Sequence, residues 1–414
     1  MDANKNITAN FGQHFYTWNQ TATAAWATPT NWTPTRTVPA ANDVLFFNNG
    51  ATTVATGVPT QTIGQLSVSA NTNVTLQAAA AAVVTIQGAA GADLSVVSGS
   101  TLQLTGANAL TLALGAGATG DLSGTTSLLG AAHRITATDP GSLIYNSGAV
   151  CSAGVGFSGN AFGTTSLNSV EFRAGSLYQH IAGADPFGAS PPNSVVTFRT
   201  GSRYRMDGAL TPAMSGRGYA DFEYNNNSIR TLTGANPLAL DSLVITQGTF
   251  NLNLTGGVFI HGDIHVRPGA TLSFSPASPS PVSLSGAAPQ SIDVQGSLST
   301  NTAAVLDVNN PAGVTLVTNL ALNGGLSFTN GRLNTGARTL TLATTSSPSG
   351  ASQGTGWVNG NLTKNYATGA FAGTLDVGDA ATYAPIGVSG TGAGAGFNLS
   401  ASTAAGDHPN LATS

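Results

Sequence analysis

The stretch LSVSANTNVTL, residues 66–76, recurs as LSVVSGSTLQL at residues 94–104 and as LDVNNPAGVTL at residues 306–316. Each copy begins with Leu and carries Val two residues later, then Val or Leu at the ninth position and Leu at the eleventh. Side chains two residues apart on a strand point to the same face, and the residues between the two apolar pairs are turn formers. The template therefore predicts a strand, a tight turn and a second strand, with both apolar pairs facing one core.

A second repeat fixes the period. VEFRAGSLY at residues 170–178 and VTFRTGSRY at residues 196–204 match at six of nine positions, with an offset of 26, and the first pair of repeats is offset by 28. A propeller blade needs about 40 to 50 residues, so these spacings favour one coil of a β-solenoid. Equivalent residues of neighbouring coils then stack at about 4.8 Å. The expected stacked pairs are Phe172 with Phe198, Tyr178 with Tyr204, and Gly175 with Gly201.

The composition fits stacked strands and excludes several classes of protein. Charged residues are 7% of the chain, against roughly 25% in ordinary globular proteins. Ser, Thr and Asn stack on their own copies without the repulsion that stacked charges suffer. There is no basic stripe for nucleic acid and no apolar run of the roughly 18 to 20 residues that span a membrane. Cys151, the single cysteine, has small apolar neighbours and is predicted to be a buried, inert thiol.

The two ends differ from the repeats. Three of the four tryptophans lie within the first 50 residues, which predicts an aromatic cap over the first coil, because solenoids need atypical terminal units. The rhythm changes again near SSPSGASQGTG, residues 346–356. We therefore predict a right-handed parallel β-solenoid (β-helix) of about 12 coils, with a capping segment over 1–62, the solenoid over 63–350, and a β-rich C-terminal module over 351–414.

The capping segment also carries a family resemblance. Its pattern is formed by Trp18, Trp26, Asn31, Trp32, Pro34, Arg36, Pro39, Asp43, Leu45 and Phe47. It resembles the start of many exported repetitive proteins of Bacteroidota, and AGVTLVTNLALNGGLSFTNGRLNTGARTLTL and WVNGNLTK…VGDAATYAPIGV look like their later segments. The resemblance implies a large surface or secreted β-helical chain, adhesin-like and exported by the type IX route. The polar start MDANKNITAN and the end GDHPNLATS lead us to expect a fragment or a processed form.

The stretch FRTGSRYR, residues 198–205, is the first candidate site, because it holds three of the chain's 13 basic Lys and Arg residues. We predict that Arg199, Arg203, Arg205 and Tyr204 contact an acidic glycan, since guanidinium groups bind carboxylates and sulfates in a bidentate way. The alternative is a plain solvated rung of the solenoid.

HGDIH, residues 261–265, is the second candidate. His261, Asp263 and His265 alternate, so on one strand they would share a face. A strand holds residues i and i+4 about 13 Å apart, so the three cannot reach one ion together, and a zinc site here would need a further ligand from another coil. The alternative is a polar outer face. Two pairs of acids, Asp221 with Glu223 and Asp376 with Asp379, are the only further groups that favour catalysis. A polysaccharide-degrading enzyme needs several acidic or basic side chains that converge on one site from neighbouring coils.

These observations favour a non-enzymatic structural and adhesive β-solenoid, located outside the cell or on its surface, with no catalytic residues and no cofactor. It would serve as a stiff spacer or as a subunit of a head-to-tail fibre, with other copies of itself or surface glycans as partners. An end without a tryptophan cap leaves a strand edge to which another copy could add. A carbohydrate-binding surface module is the alternative, and a β-helical polysaccharide-degrading enzyme is a further one.

Overall fold

A computed structural model describes residues 13–88, 91–346, 348–392 and 396–403 of the chain. Strands account for 52% of the structure and helix for 1%, and stacked parallel coils form a β-solenoid of about 13 turns, which confirms the predicted fold class. The chain divides into two compact units, Met1–Ser202 and Arg203–Ser414. The polar start MDANKNITAN and the end GDHPNLATS lie outside the described residues.

The first unit is built almost wholly from short parallel strands. These are β1 (His14–Trp18), β2 (Thr23–Ala25), β3 (Trp32–Thr33), β4 (Asp43–Phe47), β5 (Thr52–Thr56), β6 (Gln61–Ile63), β7 (Gln65–Val68), β8 (Asn73–Gln77), β9 (Ala82–Ile86), β10 (Leu94–Val96), β11 (Thr101–Thr105), β12 (Leu110–Leu114), β13 (Gly120–Leu122), β14 (Thr125–Leu128), β15 (Arg134–Ala137), β16 (Leu143–Tyr145), β17 (Val150–Ala153), β18 (Val170–Phe172), β19 (Leu177–His180) and β20 (Val196–Phe198). A 3-10 turn, Pro29–Asn31, precedes β3.

Three faces result from the stacking of these strands. The first has the order β3-β1-β4-β7-β10-β13-β16-β18-β20 and the third has the order β6-β9-β12-β15. The second face stacks β2, β5, β8, β11, β14, β17 and β19. Leu66 pairs with Leu94, as the 28-residue offset predicts. Both side chains are fully buried, so the repeated apolar positions form the core.

The 26-residue repeat is confirmed as well. Phe172 pairs with Phe198 on neighbouring strands, and their rings stack with centroids 5.2 Å apart. The Gly175 N–H donates to the Gly201 carbonyl over 2.7 Å, and both glycines have φ near +80°, a conformation that side chains with a Cβ rarely adopt. Cys151 is fully buried, as predicted, and burial raises the pKa of its thiol to about 11.

An aromatic cluster covers the first coil, as the sequence predicts. The rings of Trp18 and Trp26 each meet Trp32 edge to face, at 5.0 and 5.1 Å, and Phe47 packs against all three. Strand β3 runs antiparallel to β1 and pairs with its last two residues, Thr17 and Trp18. The aromatic cluster and this short pairing therefore cover the end of β1.

The second unit repeats the design with longer strands. These are β21 (Arg203–Met206), β22 (Asp221–Gly234), β23 (Leu238–Leu240), β24 (Leu243–Leu254), β25 (Val258–Ile260), β26 (Ile264–Val266), β27 (Thr271–Phe274), β28 (Ser280–Leu284), β29 (Gln290–Val294), β30 (Ser297–Thr300), β31 (Ala304–Asn309), β32 (Val314–Leu316), β33 (Leu320–Leu322), β34 (Gly325–Asn330), β35 (Leu333–Leu342), β36 (Pro348–Ser349), β37 (Val358–Tyr366), β38 (Gly369–Leu375), β39 (Val377–Gly378), β40 (Ile386–Gly392) and β41 (Phe397–Ala401). One face has the order β23-β25-β28-β31-β34-β36.

Long strands in this unit serve two faces at once. The first half of β24 pairs with β26 and its second half with β27, and β35 pairs likewise with β32 and β33.

Parallel strand pairing extends beyond the predicted solenoid bounds of 63–350. It starts before residue 62, where β1 pairs with β4, and continues after residue 350, where β37 pairs with β35 and β39.

The prediction of an uncovered edge at the C-terminal coil is wrong for β37. Strand β41 pairs antiparallel with β37 over residues Leu362 to Tyr366, and β39 pairs with its beginning. Tyr366, Phe371 and Phe397 form an aromatic cluster at this end, with ring centroids 4.8 to 5.5 Å apart. The sequence rule looked for tryptophan, whereas this end is covered by tyrosine and phenylalanine together with a returning strand.

Candidate ligand-binding groove

The boundary between the two units falls inside FRTGSRYR, so Arg199 belongs to the first unit and Arg203 and Arg205 belong to the second. In the first unit, Arg199 lies against Glu171, with Nε and Nη2 at 3.1 and 2.8 Å from Oε2. Arg173 donates to the other oxygen of Glu171 over 2.9 Å. These arginines hold the pKa of Glu171 below its ordinary value, chiefly through the hydrogen bond from Arg173. The Arg199 charge is therefore partly neutralised within its own unit.

In the second unit, Arg203 and Arg205 point outward, as predicted, and each faces an acid. Arg203 Nη1 is 3.5 Å from Glu223 Oε2, and Arg205 Nε is 2.9 Å from Asp207 Oδ2. Tyr204 is fully buried, so its prediction as a ligand contact is wrong. The reason is the strand period, because a residue between two outward neighbours faces the core.

Arg203 also borders a groove of the second unit with a volume of about 430 Å³. Its floor is formed by Ser242, Val244 and Thr246, alternate half-buried residues of which the first directly precedes β24 and the other two lie at its start. Their side chains are short. Strands β22 and β26 flank β24 on either side, and their longer side chains rise as walls, so the groove follows the direction of β24.

The width of the groove comes from the strand register. Val244 pairs with Glu223 on β22 and with His265 on β26. Two strand spacings separate the backbones of these walls, a distance of about 9.5 Å. The first wall carries Asp221 and Glu223 on β22 together with Arg203 on the adjacent strand β21, and the second carries His265 on β26 and Arg267 directly after it. Each wall thus offers hydrogen-bond donors over a floor with one apolar side chain.

Glu223 links one wall to the floor. Its Oε1 accepts a hydrogen bond from Thr246 Oγ1 over 2.9 Å, while Oε2 faces Arg203. Asp221 stands two residues before it on the same strand face, as the sequence predicts. Burial raises the pKa of Asp221, and the charge of Asp241 adds to the rise against the opposing hydrogen bond from Ser242. Burial therefore favours the protonated form of the Asp221 carboxyl group.

The single strand predicted to carry His261, Asp263 and His265 does not form. A bend at His261 separates β25 from β26, so His261 does not share a strand face with His265, and that part of the prediction is wrong. Asp263 Oδ2 lies 3.7 Å from His265 Nε2, and Asp293 Oδ2 lies 3.7 Å from His265 Nδ1 on the other side of the ring. Within the described ranges, no group of three or more His, Cys, Asp or Glu residues is placed to hold one metal ion.

A second cavity, of about 380 Å³, lies beside the C-terminal coil. Lys364 lies in it and donates to the carbonyls of Ala343 and Thr344, and burial lowers the pKa of its amine. Asp376 accepts a hydrogen bond from the Tyr383 hydroxyl. These groups bond to neighbouring backbone and side chains, so we assign them to holding the last coil together.

Sequence reasoning found Arg203 and the Asp221–Glu223 pair but missed the groove between them and β26. Arg267 and the residues of the groove floor do not belong to any motif recognised in the sequence. The groove could have been found from the 21-residue spacing between Glu223 and Val244 and between Val244 and His265. This spacing is shorter than the 26 and 28 residues of the recognised repeats.

Comparisons with protein families, with curated proteins and with solved structures gave no match. Within the described residues, no helix has the length and apolar character needed to cross a membrane.

Proposed function

We propose that the protein is a non-enzymatic structural and adhesive β-solenoid that binds carbohydrate in the groove over β24. The groove is the observation that carries this proposal. It is open and polar, its walls are part of a hydrogen-bonded strand stack, and Glu223 is already oriented by Thr246 and Arg203. Pre-oriented side chains on a rigid scaffold lose little conformational entropy when a ligand binds.

The resemblance of the capping segment to exported surface proteins supports an extracellular or cell-surface location. Low charge and stacked Ser, Thr and Asn side chains suit a passive structural element. Because β3 pairs with the end of β1 and β41 pairs with β37 over five residues, we propose a spacer rather than a head-to-tail fibre subunit. Light scattering on the purified protein tests this choice, and filaments at high concentration would contradict it.

Binding to immobilised polysaccharides tests the adhesive role. Val244→Trp would fill the floor of the groove and should abolish binding. Ser299→Trp is the matched control, because Ser299 is an exposed residue of β30 that does not line the groove. Loss of binding in both variants, or in neither, would contradict the proposed site.

One observation favours a second candidate, a polysaccharide hydrolase. Asp221 and Glu223 line the same groove, and the raised pKa of Asp221 is what a general acid needs. Hydrolysis would add water across a glycosidic bond and release a new reducing end for each bond cleaved. An assay for reducing ends over the same polysaccharides separates the two candidates, since an adhesive protein releases none.

A further inference from the structure

The groove over β24 has a balanced charge on its walls. Arg203 and Arg267 supply two guanidinium groups, and Asp221 and Glu223 supply two carboxyl groups. Each guanidinium group has an acid beside it, since Arg203 lies 3.5 Å from Glu223 and Arg267 lies 4.0 Å from Asp293. A bound sulfate or carboxylate would have to compete with these acids for each arginine.

The surroundings of the groove add negative charge. Asp263 and Asp293 each lie 3.7 Å from His265 on the second wall, and Asp241 is close enough to raise the pKa of Asp221. Arg205 does not offset them, because Asp207 pairs with it at 2.9 Å. Three more carboxylates thus surround a balanced groove, and their field opposes the approach of an anionic ligand.

The groove does match a chain of sugar hydroxyls. Carboxylates accept hydrogen bonds, guanidinium groups donate them, and a hydroxyl does both. Val244 gives the floor an apolar contact for the C–H face of a sugar ring, between the hydroxyls of Ser242 and Thr246. From Ser242 to Thr246 the floor extends about 13 Å along the strand, enough for a short oligosaccharide rather than one ring.

We infer that the ligand of this groove is a neutral polysaccharide chain that lies along β24, and that acidic glycans are excluded. This inference rests on the proposed function and narrows it. It also replaces the acidic-glycan prediction made from the arginines alone, because each arginine of the cluster has an acidic neighbour.

Calorimetric titration of the full chain tests the inference. The probes are neutral oligosaccharides of glucose, mannose, xylose and galactose, with oligogalacturonate and heparin fragments as acidic probes and oligoglucosamine as a cationic one. We expect at least one neutral series to bind, with an affinity that changes less than about twofold between roughly 0.05 and 0.5 M salt. Acidic probes should bind at least about tenfold more weakly.

Variants locate the binding. Glu223→Gln keeps the side-chain shape and should weaken neutral binding by roughly tenfold to a hundredfold, because a hydrogen bond to a charged group is lost. Ser299→Trp should leave the affinity unchanged. The denaturation midpoint of each variant verifies that it is folded.

The outcomes separate this inference from the proposed function. Salt-sensitive binding of an acidic probe that is lost in Arg203→Ala would overturn the neutral ligand while carbohydrate binding stands. If oligoglucosamine bound more tightly than the neutral probes at low salt, the neutral ligand would likewise be overturned while carbohydrate binding stands. No binding of any carbohydrate would overturn both.

Discussion

Two arginine–carboxylate pairs in the first unit have nearly the same geometry and very different burial. Arg36 Nε lies 2.7 Å from Asp43 Oδ2, with side chains 2% and 0% exposed. Arg173 Nε lies 2.9 Å from Glu171 Oε1, with side chains 50% and 17% exposed. Substituting each arginine by Met keeps most of its length and removes its charge, so the pair isolates the effect of burial.

The expected costs differ severalfold. Arg36→Met leaves the Asp43 carboxylate buried without its main partner, which should cost about 3 to 5 kcal/mol of unfolding free energy. It also removes the guanidinium group over the Trp32 ring, at 5.7 Å. Arg173→Met should cost less than about 1 kcal/mol, because solvent screens the exposed pair. The Ala40 N–H, 3.0 Å from Asp43 Oδ2, and the half-exposed His14, 3.5 Å from Oδ1, still contact the carboxylate after the substitution, but neither replaces the buried guanidinium group.

Urea denaturation read by tryptophan fluorescence measures both costs. In a Trp357→Phe background the remaining tryptophans all lie in the first unit, so the signal reports that unit alone. Adding Asp43→Asn to Arg36→Met should recover part of the loss, because the double variant buries no unpaired charge. Equal costs for the two arginines would refute the reasoning from burial.

Three further predictions concern buried side chains of the first unit, and the first compares one of them with an exposed arginine of the second unit. Leu102 is fully buried, so Leu102→Asp should lower the free energy of unfolding by about 3 kcal/mol or more. Arg203→Ala, in the second unit, should lower it by less than about 1 kcal/mol. Chemical denaturation measures both, and a larger loss in Arg203→Ala would show that the inward and outward directions assigned to the strands are wrong. Burial lowers the pKa of His133 and of His180 below the ordinary value of 6.5. As the pH falls, these histidines therefore take up protons in the unfolded chain before they do so in the folded one, and stability should decrease below pH 6.5. Urea midpoints that stay constant between about pH 7.5 and pH 5.5 would contradict this. The buried Cys151, with a pKa of about 11, should be alkylated only as fast as the unit opens, and fast labelling of the native protein would show that the thiol is exposed.

Local repetition was sufficient to predict the coil. Because side chains alternate along a strand, the inward direction of Leu66, Leu102 and Tyr204 can be read from the sequence. An offset of 26 or 28 residues then brings equivalent positions into register on neighbouring strands. The tryptophan cap followed from the same logic, since an end coil has an edge to cover.

The tertiary structure decided what the outward side chains meet. The three arginines of FRTGSRYR indicated a positive cluster when charge was counted along the sequence. In the folded chain each of them has an acidic neighbour: Glu171 and Glu223 come from other strands, and Asp207 lies two residues after Arg205. A bend at His261 broke the expected metal face, and β41 returned to cover β37. Inward positions are fixed by a period of two that any strand obeys, whereas outward neighbours depend on the length of each loop between coils. The chain from Glu223 through Val244 to His265 steps by 21 residues, and only the folded register shows that these side chains enclose a groove.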